Sequence, residues 1–333
     1  MKKRLLYILL GILPILGLHA QDPHFSQYFS SPLTFNPAFT GFFNAGQRLS
    51  INYRNQWANL GDPYTTGTAS YDWRILKNAI APNDKWGVGI LGLYDQSSGG
   101  VYKNAYLGIS TAFNKGLDED GDQSIGIGVQ AVLARNSVDF NKISFSTQFS
   151  GSGFDLSIPS GESVRNRTIN YVDLNAGLLY NFQDDADRQF SFGASVFHLL
   201  QPRLSYFSGS NPNLPARYTV HAGASLPAGD KDQVFFSAHA MQQADASEYV
   251  AGAAYGIGVG NTDLTAYLGA WIRINDAWYP YIGLRSPDYQ FGISYDLTKS
   301  DIQQVQRYSS SLEISFQYFF NGEGKKRGIP CFF

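Results

Sequence analysis

Strict alternation of apolar and polar residues dominates this chain from Arg48 onwards. Segments of about 9–13 residues repeat the alternation, each bounded by Gly, Asn, Asp or Pro, and they predict about fourteen strands. The predicted strands cover residues 48–57, 64–74, 86–95, 102–113, 123–135, 168–181, 189–200, 216–226, 233–242, 249–259, 262–273, 278–286, 288–296 and 309–320. In the last, Leu312 and Ile314 share one face and Glu313 lies on the other.

Strand length and loop length both indicate a membrane barrel. Strands in soluble sheets are commonly about 5–6 residues long, and those predicted here are longer. The long connections, residues 136–167, 201–215 and 297–308, all follow odd-numbered strands, whereas short turns follow even-numbered ones. Outer-membrane barrels have this asymmetry, with long loops outside and short turns in the periplasm. The sequence predicts an all-β fold: a transmembrane antiparallel outer-membrane β-barrel of about fourteen strands with an irregular N-terminal lead-in.

Residues 21–47, which we call the lead-in, precede the first strand and lack the alternation. Pro23, Pro32 and Pro37 break helices and remove donors from any sheet ladder. The aromatic residues of this segment are too apolar to remain in water, so we expect residues 22–44 to fold into the periplasmic mouth or the lumen. The expected packing anchors are Phe25, Tyr28, Phe29, Phe35 and Phe39.

The first 20 residues have the composition of a cleaved signal peptide. Lys2, Lys3 and Arg4 are basic, residues 5–18 are apolar, and Leu18-His19-Ala20 forms a cleavage site with a small final residue. The apolar run is shorter than the roughly 20 residues that a spanning helix needs. The predicted organisation is a signal peptide (1–20), the lead-in (21–47), the barrel (48–320) and a C-terminal tail (321–333).

Composition narrows the classes of function. Charged residues make up 16% of the chain and aromatics 15%, whereas soluble domains carry about 25% charged residues. This composition is typical of a barrel with one lipid-facing surface. The net charge of −2 argues against nucleic acid as a partner. Cys331 is the only cysteine, so no intramolecular disulfide is possible.

No arrangement of chemically active residues predicts catalysis or a cofactor. His24, His198, His221 and His239 are scattered without metal-ligand spacing. We interpret His198 and His221 as strand-end polar residues that support the loop at residues 201–215. Most tryptophans fall near predicted strand ends and are expected to form an interfacial girdle; they are Trp57, Trp73, Trp86, Trp271 and Trp278.

Glycine-rich strand faces leave two interpretations open. Gly252, Gly256 and Gly258 lie on one face of a predicted strand, and Gly126 and Gly128 lie together on another. Small residues allow sharp strand bending, or they allow another backbone to approach, either the lead-in or a partner segment.

A series of short motifs resembles the PorP/SprF family of Bacteroidetes outer-membrane proteins. The motifs are DPHFSQY (22–28), NPAFTG (36–41), YRNQW (53–57), SYDW (70–73), WGVGI (86–90), LNAGLLY (174–180), VFHLLQP (196–202), LPARYTVHAG (214–223), GLRSP (283–287) and FGISYDLTKS (291–300). The resemblance covers almost all of the chain after residue 20. It implies a non-enzymatic barrel that serves type IX secretion and gliding motility. Such proteins support secretion or surface attachment of particular large adhesins, recognised through their C-terminal domains, and some contact periplasmic components of the machine.

The main alternative is a passive porin or small-solute channel in the same outer membrane. A porin should have charged residues along the lumen, whereas the inward faces predicted here carry mostly Ser, Asn, Gly and Gln. Arg54, Arg273 and Glu313 are the exceptions. This favours a filled lumen and a protein-binding role in contact with outer-membrane lipid.

The expected partner-binding surface is the connection at residues 136–167, together with residues 201–215. The first of these segments carries four spaced phenylalanines among Ser and Gly; they are Phe140, Phe145, Phe149 and Phe154. Aromatic residues in loops on a rigid scaffold commonly provide recognition. We expect this surface to contact the exported partner.

Overall fold

The computed structural model describes residues 22–58, 62–209, 211–229, 231–299 and 310–320. The predicted signal peptide, most of the third long connection, Cys331 and the C-terminal tail lie outside these residues. Within them, fourteen strands form a closed antiparallel barrel, in which each strand pairs with the next and the last pairs with the first. The strands are β1 (Gln47–Gln56), β2 (Tyr64–Ile75), β3 (Lys85–Ser97), β4 (Tyr102–Gly116), β5 (Gln123–Val138), β6 (Thr168–Gln183), β7 (Gln189–Phe197), β8 (Arg217–Pro227), β9 (Gln233–Gln243), β10 (Ala246–Gly258), β11 (Thr265–Arg273), β12 (Ala277–Arg285), β13 (Tyr289–Thr298) and β14 (Ser310–Phe320).

The predicted barrel fold is confirmed, and five strands differ from the alternation-based bounds by three residues at one end. β4 and β5 end three residues later and β10 begins three residues earlier, whereas β7 and β11 are three residues shorter. β7 ends at Phe197 because His198 and Gln201 adopt left-handed backbone conformations that stop the extended chain. β11 begins at Thr265 because Asn261–Asp263 belong to the preceding turn. Period-2 patterns do not report such breaks, since the side chains still alternate through them.

Side chains divide cleanly between the two faces of the sheet. Outward positions such as Ile109, Leu268 and Ile282 are more than 60% exposed, which provides an apolar surface for lipid. Inward positions are polar and buried, as in the β1 residues Asn52 and Arg54. Buried inward polar groups mean that the lumen is filled rather than open. Among the described residues, no helix is both long and apolar enough to span a membrane.

The lead-in fills the lumen from one mouth to the other. We call the end that carries connections 139–167 and 198–216 the long-loop mouth, and the opposite end the short-turn mouth. Asp22 hydrogen-bonds Gln243, the last residue of β9, at the long-loop mouth. The chain then descends through three short helical turns, at Tyr28–Ser30, Pro32–Phe35 and Pro37–Phe39. Gly46 reaches the carbonyl of Phe320 at the short-turn mouth, where β1 begins.

Most aromatic side chains of the lead-in, including four of the five expected anchors, lie in one apolar cluster with the barrel wall. Each of the five expected anchors is buried, with exposures from 2% for Phe39 to 8% for Phe35. The ring of Phe29 lies 5.4 Å from that of Trp271 and 5.5 Å from that of Tyr281. Each aromatic of this size removes a large apolar area from water.

The girdle prediction is wrong for Trp271. Its side chain is 2% exposed and points into the lumen, where its indole N–H donates to the hydroxyl of Ser237 at 3.0 Å. Trp86 and Trp278, in contrast, are exposed on the outer surface. Position near a strand end does not decide the face; Trp271 has the same parity as the inward Arg273.

The glycine-rich strand faces make room for different neighbours in β5 and in β10. A Cβ on Gly128 of β5 would collide with the lead-in backbone at Pro37 and Ala38. On β10, a Cβ on Gly252 would instead meet the indole of Trp271. β5 therefore provides a seat for the lead-in, whereas β10 makes room for aromatics of the neighbouring strand.

The seat at Gly128 gives a first prediction. Gly128→Ala should push the lead-in off β5 and lower the free energy of unfolding by about 1–3 kcal/mol, as overpacking does in close-packed interiors. Denaturant unfolding of the barrel in detergent and limited proteolysis of the lead-in measure the two effects. Gly67→Ala is the matched control, because a Cβ there meets nothing within 4 Å. Equal stability and protease resistance of the two variants would show that the lead-in does not depend on this seat.

Candidate functional site

Glu313 on β14 holds the upper part of the lead-in. Ser26 and Gln27 directly precede the helical turn at Tyr28–Ser30. The Glu313 carboxylate accepts from the N–H of Ser26 at 2.7 Å and from that of Gln27 at 2.9 Å. It also accepts from the Asn52 amide at 2.9 Å. Glu313 is fully buried, so these bonds replace water around its charge.

Two buried arginines complete this network. Arg54 lies 2.9 Å from Asp296 and 3.3 Å from Glu313. Arg273 lies 3.0 Å from Glu248 and 3.4 Å from Asp296, and it donates to the Ser26 hydroxyl at 2.9 Å. The Ser26 hydroxyl in turn donates to Asp296 at 2.7 Å. A single serine of the lead-in therefore lies at the centre of charges from four strands.

The expectation of a lumen with few charges is wrong. Besides the three expected charged residues, the inward faces carry a further set, all nearly buried; its members are Arg48, Asp72, Asp95, Asp173, Arg217, Glu248 and Asp296. Most of these charges pair with one another or bind the lead-in, so their contribution is to hold a plug rather than to line a water-filled pore.

At the long-loop mouth, His198 binds the start of the lead-in. One ring nitrogen of His198 lies 2.7 Å from Asp22 and the other 2.5 Å from Asp173. Arg217 lies 3.1 Å from Asp22 as well. Burial on its own would lower the pKa of His198, but the charge of Asp22 and the hydrogen bonds to Asp173 and Asp22 outweigh it and raise the pKa to about 9. His198 is thus a cation that binds the lead-in.

His221 is not a strand-end residue that supports the outer loop. It lies inside the lumen, where its ring nitrogen is 3.0 Å from the side-chain amide of Asn36. The same amide donates to the carbonyl of Leu178 at 3.0 Å. Gly177 and Gly193 leave the space for these two side chains, since a Cβ on either glycine would overlap them. Asn36 therefore fixes the middle of the lead-in to β6.

At the short-turn mouth, the ion pair between Arg48 and Asp72 binds the end of the lead-in. Arg48 lies 2.9 Å from Asp72 and donates to the carbonyl of Phe39 at 3.0 Å. Asp72 also accepts from the N–H of Gly41 at 2.8 Å. The guanidinium of Arg48 lies 4.7 Å from the ring of Phe43, in cation–π contact. The lead-in is held at its start, middle and end.

Above the lead-in, one side of the long-loop mouth contains a small cavity of about 30 Å³, which we call the chamber. Rings and small apolar side chains form most of its wall, and amides and the His198 cluster form the rest. The lining residues are Asp22, Pro23, Thr34, Asn104, Tyr106, Val132, Ala134, Tyr171, Asp173, Asn175, Phe197, His198 and Arg217.

The four loop phenylalanines separate into different environments. Phe149 and Phe154 pair with ring centroids 5.3 Å apart and are both more than half exposed. Phe140 is half-buried and packs on Phe207 of the neighbouring loop, with centroids 5.4 Å apart. Phe145 is half-buried too. The two loops are joined through residues 163–166 and 205–208, so they form one surface.

The residues that sequence reasoning missed are the polar ones of the lead-in. Asp22, Ser26, Gln27 and Asn36 make its contacts with the barrel, although only its aromatics were expected to anchor it. The available signal was the placement of these polar side chains between aromatics and prolines. Among the described residues, no group of three or more His, Cys, Asp or Glu side chains is arranged to hold a metal ion.

Comparison with known proteins gives one family and one fold. The family described as type IX secretion system membrane protein PorP/SprF matches residues 18–318. No curated protein matches the sequence. The fold is similar to that of the Ralstonia pickettii toluene transporter TbuX, with a TM-score of 0.51, 12% identity and coverage of 87% of this chain and 94% of that one. It is also similar to the Pseudomonas putida toluene transporter TodX, with a TM-score of 0.53, 12% identity and coverage of 87% and 93%.

The raised pKa of His198 predicts a pH dependence. A group whose folded-state pKa lies above its ordinary value stabilises the fold fully below about pH 6.5, and this contribution is lost as the pH rises through about 9. Protection of the lead-in from proteases should therefore fall as the pH rises through that window. His198→Asn keeps a residue that tolerates the left-handed backbone and should show weaker protection without this dependence. Parallel pH profiles for the two proteins would contradict the assignment.

Proposed function

Since the chain belongs to the PorP/SprF family of type IX secretion system membrane proteins, we propose that it is a non-enzymatic, plugged barrel that supports secretion or surface attachment of one large adhesin. The observation that carries this proposal is the lead-in, fixed at both mouths by Asp22 and Arg48. A plug bound by buried ion pairs leaves the surfaces of the barrel, rather than its lumen, to perform the function.

The long-loop mouth is the proposed site for the exported partner. In outer-membrane barrels the long loops face outside, so we infer that the paired loops and the chamber face the cell surface. Phe149 and Phe154 expose their rings there, and exposed aromatics on a supported loop are typical of protein recognition. The proposed ligand is the C-terminal domain of the adhesin.

The short-turn mouth would then face the periplasm, after removal of the predicted signal peptide. Components of the secretion machinery that lie in the periplasm are its proposed partners, as membership of the family suggests. The absence of an enzymatic role is supported by the use of the lumen's polar groups. Glu313, Arg54 and His198 all bind the lead-in.

A passive channel is the second candidate, and its support is the barrel fold shared with the toluene transporters TbuX and TodX. Sequence identities of 12% support similarity of the fold and not of the transported solute. The lead-in opposes this candidate, because a solute would have to displace segments held by Glu313, Asp72 and Asn36.

The proposal predicts how cargo display depends on the loop surface. A strain without the protein should lose one or a few large adhesins from its surface and keep other type IX cargo. Deleting residues 141–160 should leave the barrel assembled in the outer membrane, because that segment lies outside the strands, and should reduce display of the same adhesins. Quantitative surface proteomics measures both.

The matched control is a deletion of residues 118–121, a turn at the opposite mouth, which should leave display unchanged. An unchanged surface proteome in the strain without the protein would overturn the proposed function. Normal display by the loop deletion alone would exclude these loops as the recognition surface.

A further inference from the structure

The outer face of the barrel wall carries almost no charge. Of the outward-facing residues in the described strands, only three are charged: Lys103 and Lys115 of β4 and Arg135 of β5. They have the same parity as Leu107 and Leu133, which are 61% and 59% exposed on the outer surface. A lysine or arginine that faces lipid is costly at the middle of the bilayer and much less so near its edges. The three positions therefore belong to the edges of the lipid-facing band.

Two of these three cations are free. Lys115 lies at the short-turn end of β4, where its ammonium is 3.0 Å from the carboxylate of Asp84. Lys103 and Arg135 lie at the long-loop end. In the described part of the chain, no hydrogen bond or ion pair joins either of these two side chains to another residue. Both unpaired charges of the outer wall are thus at one end of the barrel.

The register of β4 and β5 places Lys103 and Arg135 side by side. Arg135 is opposite Ala105, and Lys103 is opposite Ser137. The two cations are therefore diagonal neighbours on the outer face, roughly 7–8 Å apart across the ladder. Both side chains are long and flexible, so their charged groups can approach one anion from two sides.

Uncharged polar groups continue this band on both sides of the pair. Gln96 of β3 is opposite Lys103, and Asn170 of β6 is opposite Arg135. Both have the outward parity of their strands, and their amides can donate hydrogen bonds. Four neighbouring strands thus present donors at the same height on the outer wall.

Lys142 adds a third cation above Lys103, from the loop that follows β5. A Cβ placed on Gly100 would be 3.2 Å from Cε of Lys103 and 3.8 Å from Nζ of Lys142, so these two side chains converge. The acidic residues at this rim are Asp62 and Asp139. Asp139 accepts from a backbone N–H of its own loop at 3.2 Å, and neither carboxylate forms an ion pair with Lys103. Lys103 therefore keeps its charge available to a ligand.

Toward the middle of the barrel, the wall next to the two cations is apolar. Leu107, Leu133 and Val172 are all well exposed there. Lys103 and Arg135 thus mark the boundary between the apolar band and the long loops. With the long loops at the cell surface, as inferred above, this boundary lies at the headgroups of the outer leaflet, where lipopolysaccharide presents the phosphates of lipid A. Lysine and arginine side chains near the ends of spanning segments extend toward such headgroups.

We propose that Lys103 and Arg135 form a binding site on the outer wall of the barrel for a phosphate of lipid A, the phosphorylated glycolipid of the outer leaflet. The guanidinium of Arg135 offers a planar fork to two phosphate oxygens, and the ammonium of Lys103 adds a point charge. The acyl chains of the same lipid would lie along Leu107 and Leu133. A lipid fits better than a soluble anion or a protein loop, because the site opens sideways from the wall and adjoins exposed apolar surface.

Native mass spectrometry of the purified barrel, titrated with lipid A in mild detergent, tests the site. The wild type should retain one lipid A. Lys103→Gln and Arg135→Gln should each bind it about tenfold more weakly, and the double variant about a hundredfold, because each change removes a charge-assisted contact with phosphate. Lys115→Gln is the matched control, since it removes an outward lysine from the same strand at the opposite end, and it should bind lipid A as the wild type does.

Lipid A stripped of its phosphates provides a second measurement that needs only the wild-type protein. It should bind about as weakly as intact lipid A binds the double variant. Phosphatidylglycerol and inorganic phosphate at the same concentration should not displace intact lipid A. Equal affinity of the wild type and the double variant, an equal loss in Lys115→Gln, or displacement by either competitor would overturn the proposal.

This site goes beyond the proposed function and stands or falls separately from it. Lipid A binding is measured on the purified barrel without any adhesin, whereas the proposed function is decided by the surface proteome of the strain without the protein. Unchanged adhesin display would overturn the proposed function and leave the lipid site in place. Equal affinity of the wild type and the Lys103→Gln, Arg135→Gln double variant would overturn the lipid site alone.

Discussion

The buried contact between Ser26, Gln27 and the charged inner wall is the interaction on which the structure depends. Glu313 and Asp296 would be carboxylates in a closed lumen without sufficient partners if the lead-in were absent. Arg54 and Arg273 offset part of that charge, and the lead-in provides the remaining donors. Removing one member of such a buried network costs about 3–5 kcal/mol, because the other charges remain desolvated.

This constraint connects the plug to the asymmetry of the two mouths. At the short-turn mouth, Arg48 and Asp72 close the lumen against the lead-in. At the long-loop mouth, the lead-in begins at Asp22 beside one wall, and the chamber remains between it and the taller strands β4 to β6. The molecule is therefore filled through most of its height and concave at the end where its long loops pack together.

Alternation predicted the barrel but not its interior contacts. The number of strands and the face of each residue, such as inward Glu313 and outward Ile314, follow from a period of two. The same pattern does not show which inward-facing residues contact one another. Asp22 and His198 lie 176 positions apart, and their contact depends on barrel closure and on the left-handed turn at His198. Trp271 was misplaced for a related reason: position along a strand was used where parity decides. The aromatic anchors of the lead-in were accessible from composition, whereas Asn36 and Ser26 required the glycine seats and the facing charges.

Planar-bilayer conductance of the purified barrel tests the plugged lumen most directly. The account predicts no large steady current through the intact protein, because the lead-in is bound at its start, middle and end. It also predicts that Ser26→Ala combined with Asn36→Ala, which removes side-chain contacts to Asp296 and Leu178, produces intermittent openings. A large, stable current through the unmodified barrel, equal to that of the double variant, would contradict it.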